Sequence, residues 1–475
     1  MSSPRNRISI ALLAGLGAIV AIVLWNRPDI KQEAQHEQTA TLEQPALPEL
    51  PPPEDLSSPY LNTVASVKYV GNDACTDCHT DQHNSYHLTG HSQALRKVDL
   101  TLEPPDTEYF HEPSGRWYKV YRAGEELRHR EFVRDAEGRE LVLHDKPVPW
   151  AIGSGHFSVS YLAEEAGFLI ESPITWYAAR KAWHMSPGFD AEHHQGFERL
   201  APQGCLVCHA GEVKARDRNE FQPQILRMSI GCESCHGPGS LHVEKYQQQK
   251  SPNFSDQDLT IVNPANLTRE LAESVCANCH LRGEATVFRR GRGLNDFRPG
   301  FLLTDLRIDY GVRSSSGEMK VVGHVEQMRA SLCYTQSETL TCITCHDPHL
   351  APPPPPEARI AYFRNSCLKC HSEESCGIEP AIRIQAEPAD DCMACHMPKT
   401  ETDIPHFAFT HHRIGIHSND QPPARTASQE MDTLVPVIEP ASLPAEERER
   451  ALGLAYFEFA AKQPENYPAY LETAR

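Results

Sequence analysis

Positive charge is scarce in this chain: 45 Lys and Arg stand against 64 Asp and Glu in 475 residues, a formal net charge of −19. That sign disfavours a nucleic-acid partner, which needs an excess of cationic side chains. It suits solubility, or the steering of a basic redox partner. Methionine is scarce too, at 8 residues, and hydrophobic residues make up only 40%, so a large ordinary core is not expected. Apart from cysteines in one repeated motif, only Cys333 and Cys376 remain. In an oxidising compartment these two form a disulfide or stay as separate thiols.

Cysteine and histidine are plentiful by contrast, and their placement is regular. The motif C-x-x-C-H occurs at Cys75/Cys78/His79, Cys205/Cys208/His209, Cys232/Cys235/His236, Cys276/Cys279/His280, Cys342/Cys345/His346, Cys367/Cys370/His371 and Cys392/Cys395/His396. With 16 Cys and 25 His, random placement gives about 0.03 such motifs, and the pattern is the attachment signature of c-type haem. Two thiols one helical turn apart bond the two vinyl groups, and the adjoining imidazole reaches the iron. Zinc uses C-x-x-C pairs two at a time, and neither zinc nor disulfides explains a His after every pair. The cofactor expected is therefore haem c, seven per chain and covalently attached.

Seven proximal histidines leave the other histidines to supply the sixth ligand. Few methionines make bis-His ligation the default, with low potentials. His242 follows a motif through Gly237-Pro238-Gly239, and His349 lies three residues after His346. His91 sits with His83 and His87 on a predicted helix, and His412 follows the last motif. These four are the leading distal ligands, with His324 and His406 next and His156, His184, His193 and His194 behind them.

Along the chain, Arg5 and Arg7 precede 18 uncharged residues (8–25), read as a membrane helix with its N-terminus in the cytoplasm. Residues 1–25 are thus a cytoplasmic tip and anchor, and the bulk lies in the periplasm of a bacterial inner membrane. Residues 26–66 are a Pro-rich spacer, and 67–418 form the heptahaem domain. Within it, 106–172 alternate in short runs separated by Pro113-Ser114-Gly115, Ala123-Gly124 and Ala136-Glu137-Gly138, predicting an antiparallel meander. A further hairpin is expected over 306–324, and a polyproline loop over 352–356. Residues 419–443 read as linker. Residues 444–462 predict a helix whose Leu452, Gly453 and Tyr456 match the core of a tetratricopeptide helix, with a second helix from Tyr467. The fold class expected is mainly α with much irregular structure, a small β insertion, an N-terminal transmembrane helix and a C-terminal helical hairpin.

Residues 231–242 (GCESCHGPGSLH), 342–349 (CITCHDPH), 391–399 (DCMACHMPK) and 74–95 resemble the cytochrome c-552/4 domain family, similar to tetrahaem carriers and in some members fused to tetratricopeptide repeats. The resemblance covers roughly 70–417. It implies closely packed haems, bis-His or sometimes five-coordinate. The last segment also looks like that of pentahaem nitrite reductases, but their catalytic C-x-x-C-K motif does not occur here. The expected function is electron transfer between redox partner proteins, with a protein partner at the C-terminal helices. The alternative is a reductase or oxidase with one five-coordinate haem acting on a small nitrogen or sulfur compound, assisted by His184, His193, His194, Arg289 and Arg290.

Overall fold

Between residues 95 and 185 the chain lays two antiparallel sheets face to face. The protein is described by a computed structural model over residues 56–248, 257–281, 283–312, 323–351, 355–386, 390–401, 408–417, 433–463 and 467–474. All of these belong to one unit, 52–475. Strands β1 (Leu95–Lys97), β2 (Thr107–His111), β3 (Arg116–Ala123), β4 (Glu126–Arg134) and β5 (Glu140–Pro147) come first. They are followed by β6 (Trp150–Ile152), β7 (Ser158–Glu165), β8 (Phe168–Glu171), β9 (Ile174–Tyr177) and β10 (Ala182–Met185). β2 to β5 form a meander in sequence order, while the second sheet runs β1-β6-β7-β9-β10 with β8 paired to β7. Each turn signal falls between meander strands, with Gly115, Gly124 and Gly138 at positive φ.

Alternation places Tyr118 and Val120 of β3 and Leu127 of β4 against Val159, Tyr161 and Ala163 of β7, joined by Ile174, Trp183 and Met185. Each such side chain contributes about 1.5–3 kcal/mol on burial. The other face of the second sheet packs Leu95, Trp150, Leu162 and Leu169 against Leu206, Ala210 and Val213. The sandwich is thereby joined to the second motif.

The remaining sheets are smaller: β11 (Glu212–Arg216) with β12 (Asn219–Arg227), β13 (Ala285–Phe288) with β14 (Arg307–Val312) and β17 (Leu434–Pro436), and β15 (Lys399–Glu401) with β16 (Ala408–Thr410). β14 therefore pairs with 285–288 and 434–436 rather than within 306–324; residues 313–322 lie outside those described. Helices are short, because an attachment motif needs only one turn: Cys232–His236 and Cys392–His396 each span five residues. Among the described residues the longest are Arg269–His280, Pro356–Cys367 and Ala445–Ala460. In the proline run Pro355 is extended, and Pro356 opens a helix at its first position, where no backbone N–H is needed.

Two expectations are corrected. The fold is not mainly α with a small β insertion, because sheet is a principal component and reaches well beyond 106–172. No helix among the described residues is long and apolar enough to cross a membrane. The single-pass anchor and inner-membrane placement are accordingly not supported, and residues 8–25 lie outside those described. The C-terminal helix buries Ala451, Ala455, Tyr456 and Phe459 with Tyr470 against Ala285, Val287, Ile308 and Tyr310. A Cβ on Gly453 would stand 2.8 Å from the Ala474 carbonyl oxygen, so a glycine is required where the two helices cross. This is one helical pair, and a tetratricopeptide array is not shown.

Candidate functional site

Six of the seven motifs contribute to one continuous cavity of about 3210 Å³, lined among others by Cys208, Cys235, Cys276, Cys342, Cys367 and Cys392. That exceeds the roughly 300–1,000 Å³ of a single-ligand pocket several-fold. Contacts between motifs run from one end of the set to the other. Cys75 lies beside Cys232, Cys208 beside Cys279, Cys276 beside Cys342, and Cys367 beside Cys392. Cys235 is in the neighbourhood of Cys279, and Cys345 in that of Cys370. In order, first, third, fourth, fifth, sixth and seventh motifs form a row, and the second branches from the fourth. Cys333 and Cys376 also line the cavity and are free thiols, so the disulfide is not formed in this structure.

Not every attachment cysteine faces that space. Cys395, expected to bind haem together with Cys392, is exposed and stands outside the cavity lining, whereas Cys392 and His396 of the same motif line it. The helix Cys392–His396 is a single turn that buries none of its residues. Cys205 of the second motif and Cys78 of the first are likewise exposed and outside the lining. In the seventh motif one thiol lies in the cavity and one at the surface.

Local hydrogen bonds fix the motifs against each other. Glu233, inside the third motif, is buried, and its carboxylate accepts from Val70 N, Gly71 N and Gly239 N at 2.8 Å each. Asn72 Oδ1 accepts from Cys232 N at 2.9 Å. Gly237, at φ +76°, closes the third motif where a Cβ would meet Asn62 Nδ2 at 2.6 Å. Further on, Lys369 Nζ in the sixth motif donates to the Thr344 carbonyl in the fifth at 3.1 Å.

The histidines fall into facing pairs. His79 and His242 have ring centroids 6.3 Å apart, His236 and His349 6.0 Å, His346 and His412 6.2 Å, and His91 and His280 6.2 Å. Two imidazoles bound trans to one metal at about 2.0 Å per nitrogen put their centroids roughly 6 Å apart, so these four pairs fit a metal held between them. His324 stands edge-on, 5.4 Å from His280 and 4.7 Å from His412, between two pairs rather than in one. His406 lies outside the described residues. Ring pairs of this kind do not involve His209, His371 or His396 among the described residues.

Electrostatics agree with the ligand chemistry, which needs neutral imidazole with one nitrogen anchored. Burial lowers the pKa of His79, His91, His209, His236 and His346, and takes His280 and His412 to about 4. The Nδ1 atoms of His236, His396 and His412 meet the carbonyls of Val262, Gly415 and Thr410 at 2.8–2.9 Å, which leaves Nε2 to the metal. No group of three or more His, Cys, Asp or Glu among the described residues is arranged to hold a bare metal ion. The residues present fit covalent haem.

The proposed catalytic side chains lie elsewhere, and none lines the cavity. His193 is exposed. His194 Nδ1 accepts from Gly196 N at 3.1 Å, so its Nε2–H donates to Tyr118 Oη at 2.9 Å. Both nitrogens are thus engaged in the sandwich. His184 packs beside Tyr177 on β10, Arg289 faces Asp305, and Arg290 pairs with Glu447. Sequence reading passed over Glu233, Asn72 and Asp258; the only signal for Glu233 was an acid between motif cysteines, and its neighbours come from about 160 residues away.

Comparison with known proteins supports the cofactor. The cytochrome c554 and c-prime family matches residues 176–237, which include the second and third motifs. A solved structure, the outer cell wall cytochrome OcwA, matches with 15% identity and a TM-score of 0.42, covering 73% of this chain and 79% of that one. No curated protein matches. The family match, falling on two attachment motifs, supports a multihaem c-type cytochrome with covalent haem c and haem-based electron transfer.

Proposed function

We propose that the chain is a heptahaem electron-transfer cytochrome in which each C-x-x-C-H motif carries one haem c. The observation that supports this reading is that the motifs stand as neighbours in one series from Cys75 to Cys392, with the second beside the fourth, six of them around one continuous cavity. Bound haem supplies an iron that cycles between ferric and ferrous states. The motif histidines His79, His209, His236, His280, His346, His371 and His396 are the proximal ligands. His242, His349, His91 and His412 complete the coordination at the first, third, fourth and fifth motifs, as their 6.0–6.3 Å ring pairs suggest. Burial lowers the pKa of His79, His91, His209, His236, His280, His346 and His412, and carbonyl hydrogen bonds hold the tautomers of His236, His396 and His412. The protein's own contribution is spacing, ligation and exclusion of water.

The test is the chain expressed with haem maturation, its haems counted and its spectra recorded with and without carbon monoxide and nitrite. Seven haems per chain, with both ligands leaving the four paired haems unchanged, is the expected result. Fewer than seven overturns the assignment of at least one motif. Turnover of nitrite by a ligand-binding haem replaces conduction with catalysis.

A further inference from the structure

We propose that Asp258 is a positioning residue that lowers the potential of the haem at the first motif below that of its neighbour at the third, making the first haem the end at which electrons enter. The inference rests on the reading above that His242 is the distal ligand there. His242 Nδ1 donates to Asp258 Oδ2 at 2.8 Å, while the ring faces His79. Asp258 Oδ1 is fixed by Lys245 Nζ at 2.9 Å, Thr260 N at 2.9 Å and Thr260 Oγ1 at 2.7 Å. The carboxylate is only 14% exposed, so water does little to screen it.

The other anchored rings differ in kind, because His236, His396 and His412 reach backbone carbonyls. A carboxylate makes a stronger, charge-assisted hydrogen bond. It draws the Nδ1 proton, makes Nε2 a better donor and so stabilises ferric iron. At the third motif His236 has the Val262 carbonyl as partner. Its facing His349 has Asp347 3.3 Å away, but both side chains are at least 40% exposed, and solvent weakens that pair. Lys245 offsets part of the Asp258 charge without removing the hydrogen bond. The first motif stands at the end of the row, beside the third.

The experiment is a spectropotentiometric titration of the haem-loaded full chain, with the spin state followed by electron paramagnetic resonance. Asp258→Asn keeps an acceptor but not the charge. It should raise the potential of one haem, changing its reduction equilibrium roughly tenfold, about 59 mV for one electron, with low-spin signals retained. Lys245→Met should shift the same haem downward, and Asp258→Glu should restore most of the wild-type value. If Asp258→Asn and Lys245→Met leave every potential unchanged, the inference falls while the ligand assignment stands. If Asp258→Asn turns one haem high-spin, Asp258 only holds the ring in place and the inference also falls. His242→Ala should itself produce one high-spin haem; if it does not, the ligand assignment fails first.

Discussion

The β-sandwich and the segment carrying the last three motifs solve the problem of an interior in opposite ways. The sandwich buries Tyr118, Phe132, Tyr161, Trp183 and Phe189 at 6% exposure or less and holds together through side-chain packing. Between residues 342 and 417, by contrast, the helices Pro380–Gln385 and Cys392–His396 bury no residue at all, and Ile378, Ile382 and Ile384 are exposed. That segment encloses cavity instead of core. One region is organised by its sequence, the other by what its cysteines are bonded to.

The largest effect that would break this contrast comes from withholding haem. Expressed without haem attachment, the chain should keep slow amide exchange in β3, β4 and β7 and lose it in the helices Pro356–Cys367, Pro380–Gln385 and Cys392–His396; equal protection in the two regions would abolish the distinction. A smaller effect probes the sandwich alone. His129 is fully buried against Tyr161 and Trp183, its Nδ1 2.7 Å from Ser172 Oγ, and burial lowers its pKa from 6.5 to about 3. The folded value lies below the unfolded one, so stability is complete above pH 6.5 and declines as pH falls towards 3. The loss is on the order of 4 kcal/mol. Near-ultraviolet circular dichroism on urea titration should show this decline, and His129→Phe should flatten it. The smallest effect is at the C-terminal pair. Gly453→Ala gains about 1 kcal/mol of helix propensity but drives a methyl into the Ala474 carbonyl. Overpacking of about 1–3 kcal/mol leaves a net loss of roughly 1, to be read as a lower melting temperature with unchanged haem spectra.

What could be read from sequence follows the same division. The attachment motifs are local, one helical turn each, and announce themselves. Which of their thiols is enclosed is not local, and Cys392 and Cys395 look alike in sequence although only Cys392 lines the cavity. His91, His242, His349 and His412 stand out because each is close in sequence to a motif, and the structure places every one opposite a motif histidine. His324 has no comparable context and stands between pairs. Much of the sheet was hidden because the sandwich interior is not uniformly apolar. His129, Glu131, Ser172, Thr175 and Ser186 are all at 0% exposure, and polar residues at inward positions erase the alternation that marks a strand. The meander was legible because its turns carry glycine at positive φ. The contacts between motifs were not, since they join residues up to about 160 positions apart.

Glu233, Lys369, Leu206 and Ala277 share a position: each lies between the two cysteines of its motif, where the attachment signature tolerates any residue. Glu233 grips the backbone leading into the first motif, Lys369 reaches the fifth, Leu206 is inserted beneath the β-sandwich, and Ala277 packs under Leu303 and Val325. The cysteines and histidine say that a haem is attached; the two letters between the cysteines act as an address, saying beside which neighbour it is delivered. Exchanging those letters between motifs would keep every attachment point and scramble the wiring.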